Sequence, residues 1–309
     1  MVLTDNCGRP LFNLRIAITR RCNLRCSYCH AEGEKKPRRG TDVEMDADEI
    51  LRIVRIAVSL GISKVKLTGG EPLLRNDTFS IVERIASIPG LADLSMTTNG
   101  TKLAPLAKEL YAAGLRRVNI NLPTTDAEVY EKLTGGAVEN ALKGVKAALE
   151  TGFSPVKINM LVLKGVNDDS VFDMIDFAGK SGAILQLIEL ERINITDSYY
   201  STYHKSLEEY EDVLKQKALK TEVRRFMQNR HIYLLPSSKV EVIRPMENAE
   251  FCMHCTRLRV TSHGRLKTCL MKNDDLIDVL APMRSGAADE ELAELFRLAN
   301  QRRHPYNKV

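Results

Sequence analysis

Three cysteines near the start of the chain are spaced as ligands of one metal centre. Cys22, Cys26 and Cys29 form the pattern C-x3-C-x2-C directly after the first predicted strand. Three thiolates without a fourth suit a [4Fe–4S] cluster that keeps one iron open for a ligand. A structural zinc ion takes four ligands, and His30 is poorly placed as the fourth because it directly follows Cys29. The spacing therefore favours an iron–sulfur cluster over zinc at this point of the chain.

Three further cysteines lie near the end of the chain. Cys252, Cys255 and Cys269 form the pattern C-x2-C-x13-C, which again offers three thiolates to a [4Fe–4S] cluster with an open iron. His254 or His263 would complete a zinc site instead, so zinc stays an alternative here. A cluster that only fixes the fold of this region is a second alternative. We favour a cluster whose open iron binds an atom of the substrate.

Five basic residues have the spacing of an anion-binding surface. Arg257 and Arg259 occupy alternate positions after Cys255, so both side chains point the same way from an extended segment. Arg15, Lys66 and Lys157 lie on the polar faces of predicted strands. Cations gathered in one cavity need an anion to offset the cost of removing them from water. Paired guanidinium groups suit phosphate oxygens, so these residues predict a polyphosphate ligand.

Two glycine-containing turns follow the second and third predicted strands. Residues 68–72 read TGGEP and residues 97–100 read TTNG, both at the carboxyl end of a strand. Glycines let the backbone approach a ligand closely because they carry no side chain. Alone, each motif is a weak turn signal, and its meaning depends on the cysteines that precede it.

Strand-like and helix-like segments must position these groups, and they alternate along most of the chain. Predicted strands cover residues 13–20, 63–68, 92–98, 116–122, 155–163 and 183–190. Predicted helices lie near residues 46–60, 77–88, 103–113, 126–149 and 168–180. Repeated strand–helix units indicate parallel strands joined by crossover helices, and six units are too few for a closed eight-stranded barrel. We therefore predict an α/β fold with an incomplete (β/α)6 TIM-like barrel; a doubly wound open sheet is the alternative.

The pattern changes after about residue 200. We expect a helix at 204–218, a β-hairpin from 221–226 and 230–235, and a terminal helix at 288–303. The chain is accordingly divided into a partial barrel, residues 1–215, and a small C-terminal iron–sulfur domain, residues 216–309.

One face of the predicted strands is polar. Because alternate residues of a strand face opposite ways, this face consists of Arg15, Thr19, Lys66, Thr68, Ser95, Thr97, Asn99, Asn119, Asn121, Lys157 and Asn159. An ordinary eight-stranded barrel fills its interior with branched apolar residues. A polar interior instead predicts a cavity for a polar ligand, with an open sheet that has one wetter face as the alternative.

The composition excludes several classes of protein. Of 309 residues, 44% are hydrophobic and 28% are charged, which is usual for a globular chain, and the net charge of +5 is mild. No run approaches 18 uncharged apolar residues and no secretory signal is visible, so we expect a cytoplasmic protein without a membrane partner. Aromatic residues make up only 6% and Trp is absent, which argues against nucleic acid as a partner. Cys7 is the unpaired seventh cysteine, and no role is assigned to it.

The first cysteine group, with Tyr28 before its last member and GGEP after the next strand, resembles the signature of the radical S-adenosylmethionine (SAM) superfamily. The resemblance implies that the open iron binds the amino and carboxylate groups of SAM. It also implies that an electron from the cluster cleaves SAM to a 5′-deoxyadenosyl radical, which takes a hydrogen atom from the substrate. GGEP then resembles the site for the amino group of SAM.

Both cysteine groups together, with C-T-R-L-R-V inside the second, resemble the GTP 3′,8-cyclase family of molybdenum cofactor biosynthesis from about Phe12 to about Leu270. The resemblance implies two [4Fe–4S] clusters, the first binding SAM and the second binding the guanine base of GTP. The radical would abstract hydrogen from C3′ of GTP, and C3′ would attack C8 to give 3′,8-cyclo-7,8-dihydro-GTP. It further implies a reducing electron donor of flavodoxin or ferredoxin type, transfer of product to the next pathway enzyme, and a homodimer.

The resemblance also assigns individual residues. GTP contacts carry over to Arg15, Lys66, Thr97, Lys157, Arg257, Leu258 and Arg259. SAM contacts carry over to Tyr28, Gly70, Asn121 and Glu191, and a catalytic role carries over to Arg257 and Arg259. Many relatives have Arg at the position of Lys66, Ser at Asn121 and Met at Glu191. Bacterial relatives end in Gly-Gly, whereas this chain ends in HPYNKV, so the role of that tail is absent or met by other residues.

Two other functions stay open at this point. One is a peptide-modifying radical SAM enzyme with an auxiliary cluster, although such enzymes usually carry more cysteines near the C-terminus. The other is a non-catalytic iron–sulfur or zinc module that binds nucleic acid.

Overall fold

All six predicted strands form, and they lie side by side in one parallel sheet. The computed structural model describes residues 2–34 and 43–307. The six strands are β1 (Asn13–Thr19), β2 (Lys64–Gly69), β3 (Asp93–Thr98), β4 (Arg117–Asn121), β5 (Val156–Leu161) and β6 (Ile184–Ile188). Neighbours in the sheet follow the order of the chain from β1 to β6. This is the arrangement predicted for an incomplete (β/α)6 barrel.

Amphipathic helices cover the outer face of this sheet. They are α1 (Ala47–Ser59), α2 (Thr78–Ala86), α3 (Leu103–Ala112), α4 (Ala127–Thr134), α5 (Val138–Thr151) and α6 (Val171–Ser181). The single helix expected at 126–149 is wrong, because the structure has α4 and α5 there. Gly135 ends α4 in the left-handed conformation, with φ of 71°, and a second glycine follows before α5 begins. Such a glycine is a common end for a helix.

The sheet continues into the C-terminal part of the chain. Six more strands follow: β7 (Lys220–Arg224), β8 (Arg230–Leu234), β9 (Lys239–Ile243), β10 (Arg257–Val260), β11 (Arg265–Lys267) and β12 (Ile277–Asp278). The complete order is β12-β11-β10-β1-β2-β3-β4-β5-β6-β9-β8-β7. β9 extends the parallel sheet beside β6 and β10 extends it beside β1, whereas the remaining four strands are antiparallel. The hairpin of β7 and β8 was predicted, and β9 and β10 were not.

The C-terminal half also contributes five helices within the described residues. They are α7 (Asp197–Tyr203), α8 (Glu208–Lys217), α9 (Ala249–Met253), α10 (Leu280–Arg284) and α11 (Asp289–Gln301). Of these, α8 and α11 correspond to predicted helices. The division at residues 215 and 216 stays a prediction, and strands from both sides of it share the one sheet. No helix in the described part of the chain is both long enough and apolar enough to cross a membrane.

Alternate side chains along each strand face either the hydrophobic core beneath the helices or the inside of the curved sheet. In β1, Leu14, Ile16 and Ile18 are at most 1% exposed and belong to the main hydrophobic core beneath the helices. Arg15 lines the opposite side of the sheet. The predicted polar interior is therefore present, and it surrounds a cavity.

Candidate active site

Both cysteine groups face one cavity. The cavity has a volume of about 300 Å³ and lies inside the curved sheet, where residues from both the start and the end of the parallel strands line it. All six predicted cluster ligands line it: Cys22, Cys26, Cys29, Cys252, Cys255 and Cys269. None of the six is in a disulfide. Two groups of thiols that lie far apart in the sequence therefore reach the same space.

The loop that carries the first cysteines packs tightly on the turn after β2. Amide groups of Gly70 and Glu71 donate to the carbonyls of Thr19 (2.8 Å) and Arg21 (2.7 Å). A Cβ atom added at Gly70 would lie only 2.3 Å from the carbonyl oxygen of Arg21. This close approach requires a glycine, so the turn positions the first cysteine loop as well as lining the cavity.

Glu71 ties the ends of two strands together beneath this loop. Its fully buried carboxylate accepts hydrogen bonds from the Thr98 hydroxyl (2.7 Å) and the Asn99 amide (2.6 Å). The Asn99 side chain in turn donates to Asn23 in the cysteine loop (2.9 Å). The two turn motifs found in the sequence thus belong to one hydrogen-bonded unit.

Hydrogen-bond donors and nearby cations at two of the thiols suit iron–sulfur clusters, whereas burial raises the pKa of Cys22, Cys26, Cys29 and Cys269. No three His, Cys, Asp or Glu side chains among residues 2–34 and 43–307 converge closely enough to share one metal ion, so the fit is judged from the thiols and their donors. The Cys22 sulfur accepts a hydrogen bond from the Leu24 amide (3.4 Å), and such bonds tune iron–sulfur clusters. Burial raises the pKa of Cys255, but Arg257 and Arg303 outweigh it and hold the pKa below its usual value. A thiolate ligand is therefore favoured there.

The residues assigned to SAM all line the cavity. They are Tyr28, Gly70, Asn121 and Glu191. Asn121 accepts a hydrogen bond from the Asn159 amide (2.8 Å). Burial raises the pKa of Tyr28 well above its usual value, so its phenol stays protonated and remains a donor.

Strand register places three cations in one row. Arg15 of β1 is paired with Arg259 of β10 on one side and with Lys66 of β2 on the other. A buried carboxylate, Glu32, binds both arginines, at 2.9 Å to Arg15 and 2.8 Å to Arg259, and accepts a hydrogen bond from Thr68 (2.7 Å). Burial raises the pKa of Glu32, but the two arginines overcome this and lower it to about 2. Glu32 is therefore ionised and holds the two guanidinium groups together.

A second buried carboxylate holds the cations on the other side of the cavity. Glu241 of β9 is fully buried and forms ion pairs with Lys157, with Arg224 at 3.0 Å and with Arg230 at 3.6 Å. Gln186 donates to the same carboxylate (2.6 Å). Burial lowers the pKa of Lys157 to about 8, although Glu241 opposes this.

Lys66 and Arg257 differ from these paired cations. In the described part of the chain, neither lies within 4 Å of a carboxylate: Lys66 donates to Asn119 (2.8 Å) and Arg257 contacts the sulfur of Met227 (3.2 Å). Burial and neighbouring cations lower the pKa of both groups well below their usual values. An anionic ligand placed here would stabilise their charged forms.

The sequence located most of this site, with one exception and several omissions. Thr97 and the five predicted cations line the cavity, whereas the Leu258 side chain is fully buried in the hydrophobic core. The sequence reasoning missed the cavity residues Glu32, Arg224, Arg230, Gln186, His304 and Tyr306. It also missed Glu241, which is fully buried behind the cavity wall and pairs with its cations. A signal for Glu241 existed, since one glutamate stands inside the β-branched run KVEVI.

Comparisons with known proteins agree with this architecture. Residues 16–178 match the model of the Radical SAM superfamily, and residues 183–309 match the model described as Molybdenum Cofactor Synthesis C. A protein of Thermococcus kodakarensis named "Probable GTP 3′,8-cyclase" is 49% identical over 99% of this chain and 100% of its own length. A protein of the same name from Pyrococcus abyssi is 48% identical over 99% of both chains.

Solved structures share the fold at much lower identity. The crystal structure of Streptococcus suis SuiB bound to precursor peptide SuiA has a TM-score of 0.64 and 19% identity, over 90% of this chain and 63% of that chain. The structure of anSMEcpe with bound AdoMet and Cp18Cys peptide has a TM-score of 0.52 and 18% identity, over 67% and 58%. At such identities the likeness shows the fold alone. Together, the family models and the full-length relatives show that this chain belongs to the radical SAM superfamily and, within it, to the GTP 3′,8-cyclase family.

Proposed function

We propose that the chain catalyses the radical cyclisation of GTP to 3′,8-cyclo-7,8-dihydro-GTP, the first step of molybdenum cofactor biosynthesis. When bound, a [4Fe–4S] cluster and SAM at the first cysteine group supply a 5′-deoxyadenosyl radical that takes the hydrogen from C3′ of GTP. Cys22, Cys26 and Cys29 would hold this cluster. Tyr28, Gly70, Asn121 and Glu191 line the neighbouring wall, where they would bind SAM.

One observation carries the proposal: two groups of three thiols and a cationic wall face the same cavity. Cys252, Cys255 and Cys269 would hold a second [4Fe–4S] cluster, which would offer an open iron to the guanine base. A substrate that lies between the two groups would expose its ribose to the radical and its base to the second cluster. The cavity side chains would fix that orientation.

The cations would bind the triphosphate. Lys66 and Arg257 are the first candidates because they are half-buried and lie within 4 Å of no carboxylate in the described residues, so the phosphates would supply the missing charge. Arg15 and Arg259 would share their charge between Glu32 and the phosphates. Thr97 and Lys157 also line the cavity. Arg257 and Arg259 would additionally keep the base and ribose aligned while the new bond forms.

Several partners follow from this reaction as proposals. The first cluster needs a reducing electron donor of flavodoxin or ferredoxin type, and the product would pass to the next enzyme of the pathway. A homodimer and a cytoplasmic location also stay predictions.

The test is an anaerobic assay of the chain reconstituted with iron and sulfide. SAM, a strong reductant and each nucleoside triphosphate are supplied in turn, and 5′-deoxyadenosine and nucleotide loss are measured together. Deoxyadenosine formed in step with GTP loss, and not with ATP loss, is the expected result. Formation of 5′-deoxyadenosine that does not depend on GTP would contradict the cyclase function and favour a peptide substrate. No deoxyadenosine despite about eight bound irons, as two clusters require, would leave only a structural role for the clusters.

A further inference from the structure

Three buried charged side chains lie directly behind the second cysteine group. They are Asp5, Arg9 and Arg303, whose side chains are at most 5% exposed. Arg9 pairs with Asp5 at 2.9 Å, and Arg303 approaches the same carboxylate at 3.5 Å. These residues lie near the two ends of the described chain, and only the folding of the chain brings them together.

Each arginine also holds the backbone of one cysteine. Arg9 donates to the carbonyl of Cys252 (2.8 Å), and Arg303 donates to the carbonyl of Cys255 (2.5 Å). Arg303 is itself oriented by the Asn300 side chain (2.9 Å). The two carbonyls belong to the pair of cysteines that are three residues apart, and both are held by planar, charged donors with little freedom to rotate.

The group is not balanced in charge. One carboxylate faces two guanidinium groups, so a net positive charge is buried next to the thiols. Such an arrangement is costly to remove from water unless a nearby negative charge offsets it. A thiolate-bound iron–sulfur cluster is negatively charged and would provide that offset.

We infer that Arg9, Asp5 and Arg303 are positioning residues for the second cluster: together they fix the Cys252–Cys255 loop, and their net positive charge raises the cluster's reduction potential. The inference rests on the second cluster of the proposed function. A positive charge stabilises the reduced cluster, which carries one more electron, so net charge near the cluster sets its potential. None of the three residues needs to touch GTP in this role.

The experiment uses the full chain with Cys22, Cys26 and Cys29 replaced by alanine, so that bound iron reports on the second group alone. After anaerobic reconstitution, iron content, iron loss to a chelator and the reduction potential by EPR-monitored titration are measured. Arg303→Ala removes a positive charge, and Asp5→Asn removes a negative charge while keeping the acceptor oxygen that binds the Cys7 and Arg9 amides (3.0 Å each).

The expected shifts have opposite signs. Arg303→Ala should lower the potential and speed iron loss, whereas Asp5→Asn should raise the potential. Arg303→Lys should keep the potential near that of the parent because it restores the charge, and it tests the idea if the alanine variant fails to fold. Arg302→Ala is the matched control, since this exposed arginine is the residue directly before Arg303.

The outcomes separate the inference from the function on which it rests. No iron in the parent with only the second cysteine group would overturn the second cluster and the positioning role together. About four irons with the same potential and the same rate of iron loss in all variants would overturn the positioning role and leave the second cluster intact. A loss of stability in Arg303→Ala and Asp5→Asn, with potentials that do not move in opposite directions, would show that the three residues only join the ends of the chain.

Discussion

Replacing Glu32 by glutamine should destabilise the chain by about 3 kcal/mol at neutral pH. Two buried arginines lower the pKa of this carboxyl from 4.5 to about 2, and each tenfold change in an equilibrium constant corresponds to about 1.4 kcal/mol. Removing one partner of a buried ion pair costs a similar amount, about 3–5 kcal/mol, because the remaining charges are left without compensation. Glutamine keeps the size of the side chain and removes only its charge.

The pH dependence of the effect follows from the same numbers. The pKa of Glu32 is lower in the folded chain than in the unfolded chain, so the ionised carboxylate stabilises the fold fully above about pH 4.5. That stabilisation is lost as the pH falls from 4.5 towards 2, where the carboxylate becomes protonated in both states. Because glutamine does not titrate, the difference between the two proteins should shrink over this range and fall below half by pH 3.

The assay is urea unfolding of the chain purified without iron, at pH 7 and at steps down to pH 3, because acid decomposes iron–sulfur clusters. Glu290→Gln is the matched control. Its ion pair with Arg297 lies at the surface with the carboxylate 77% exposed, so its loss should change the free energy of unfolding by less than 1 kcal/mol. Equal effects of the two substitutions, or a difference that persists at pH 3, would refute the role given to Glu32.

Three other substitutions test the site. Arg257→Ala should abolish GTP conversion while 5′-deoxyadenosine still forms without coupling, and equal loss of both in the anaerobic assay would contradict its place in the GTP site. Glu241→Gln should lower the free energy of unfolding by about 3–5 kcal/mol because it leaves several cations unpaired. Lys215→Met at the surface is its control. Matching urea unfolding curves for these two variants would contradict the prediction. Gly70→Ala should displace the first cysteine loop, because its Cβ would meet a backbone carbonyl at 2.3 Å, and about four of eight irons should be lost from the reconstituted chain. Gly165→Ala is the control: its Cβ meets nothing within 4 Å, but φ of 66° strains the backbone of any residue other than glycine, so it tests whether destabilisation without a clash at the cysteine loop also removes iron. Full iron content in the Gly70 variant would count against the clash.

The parallel strands could be predicted from the sequence because their information is local. Each predicted strand combines an apolar run with flanking turns and a following amphipathic helix, and the bounds agree with the structure to within two residues. β10 was missed because Arg257–Val260 is only four residues long and is paired with β1, which lies far away in the sequence. A pairing over that distance leaves no periodic signal in either segment.

The thiols and the cations could also be predicted, whereas their counter-charges could not. Cysteine spacing identifies thiols that bind one metal centre. Alternation along a strand identifies side chains that lie on the same face of the sheet. Glu32 follows the cysteine loop in a short helical turn, and its contacts with Arg15 and Arg259 depend on how that loop folds back over β1 and β10. Nothing in the local sequence distinguishes it from Glu34, which instead binds Ser262.

The buried carboxylates explain how the chain stays folded with so many cations around one cavity before a polyphosphate binds. Without Glu32 and Glu241, the cations on adjacent strands would repel one another in a region of low dielectric constant. With them, Arg15, Arg224, Arg230 and Arg259 are held in place before the substrate arrives, and less conformational entropy is lost on binding. The phosphates must then compete with the carboxylates for Arg15, Arg259 and Lys157. This competition lowers the affinity for phosphates. Binding is favourable only for an anion that also has enough negative charge to pair with Lys66 and Arg257. We therefore propose that the cavity favours a triphosphate through the cations that the carboxylates leave unpaired.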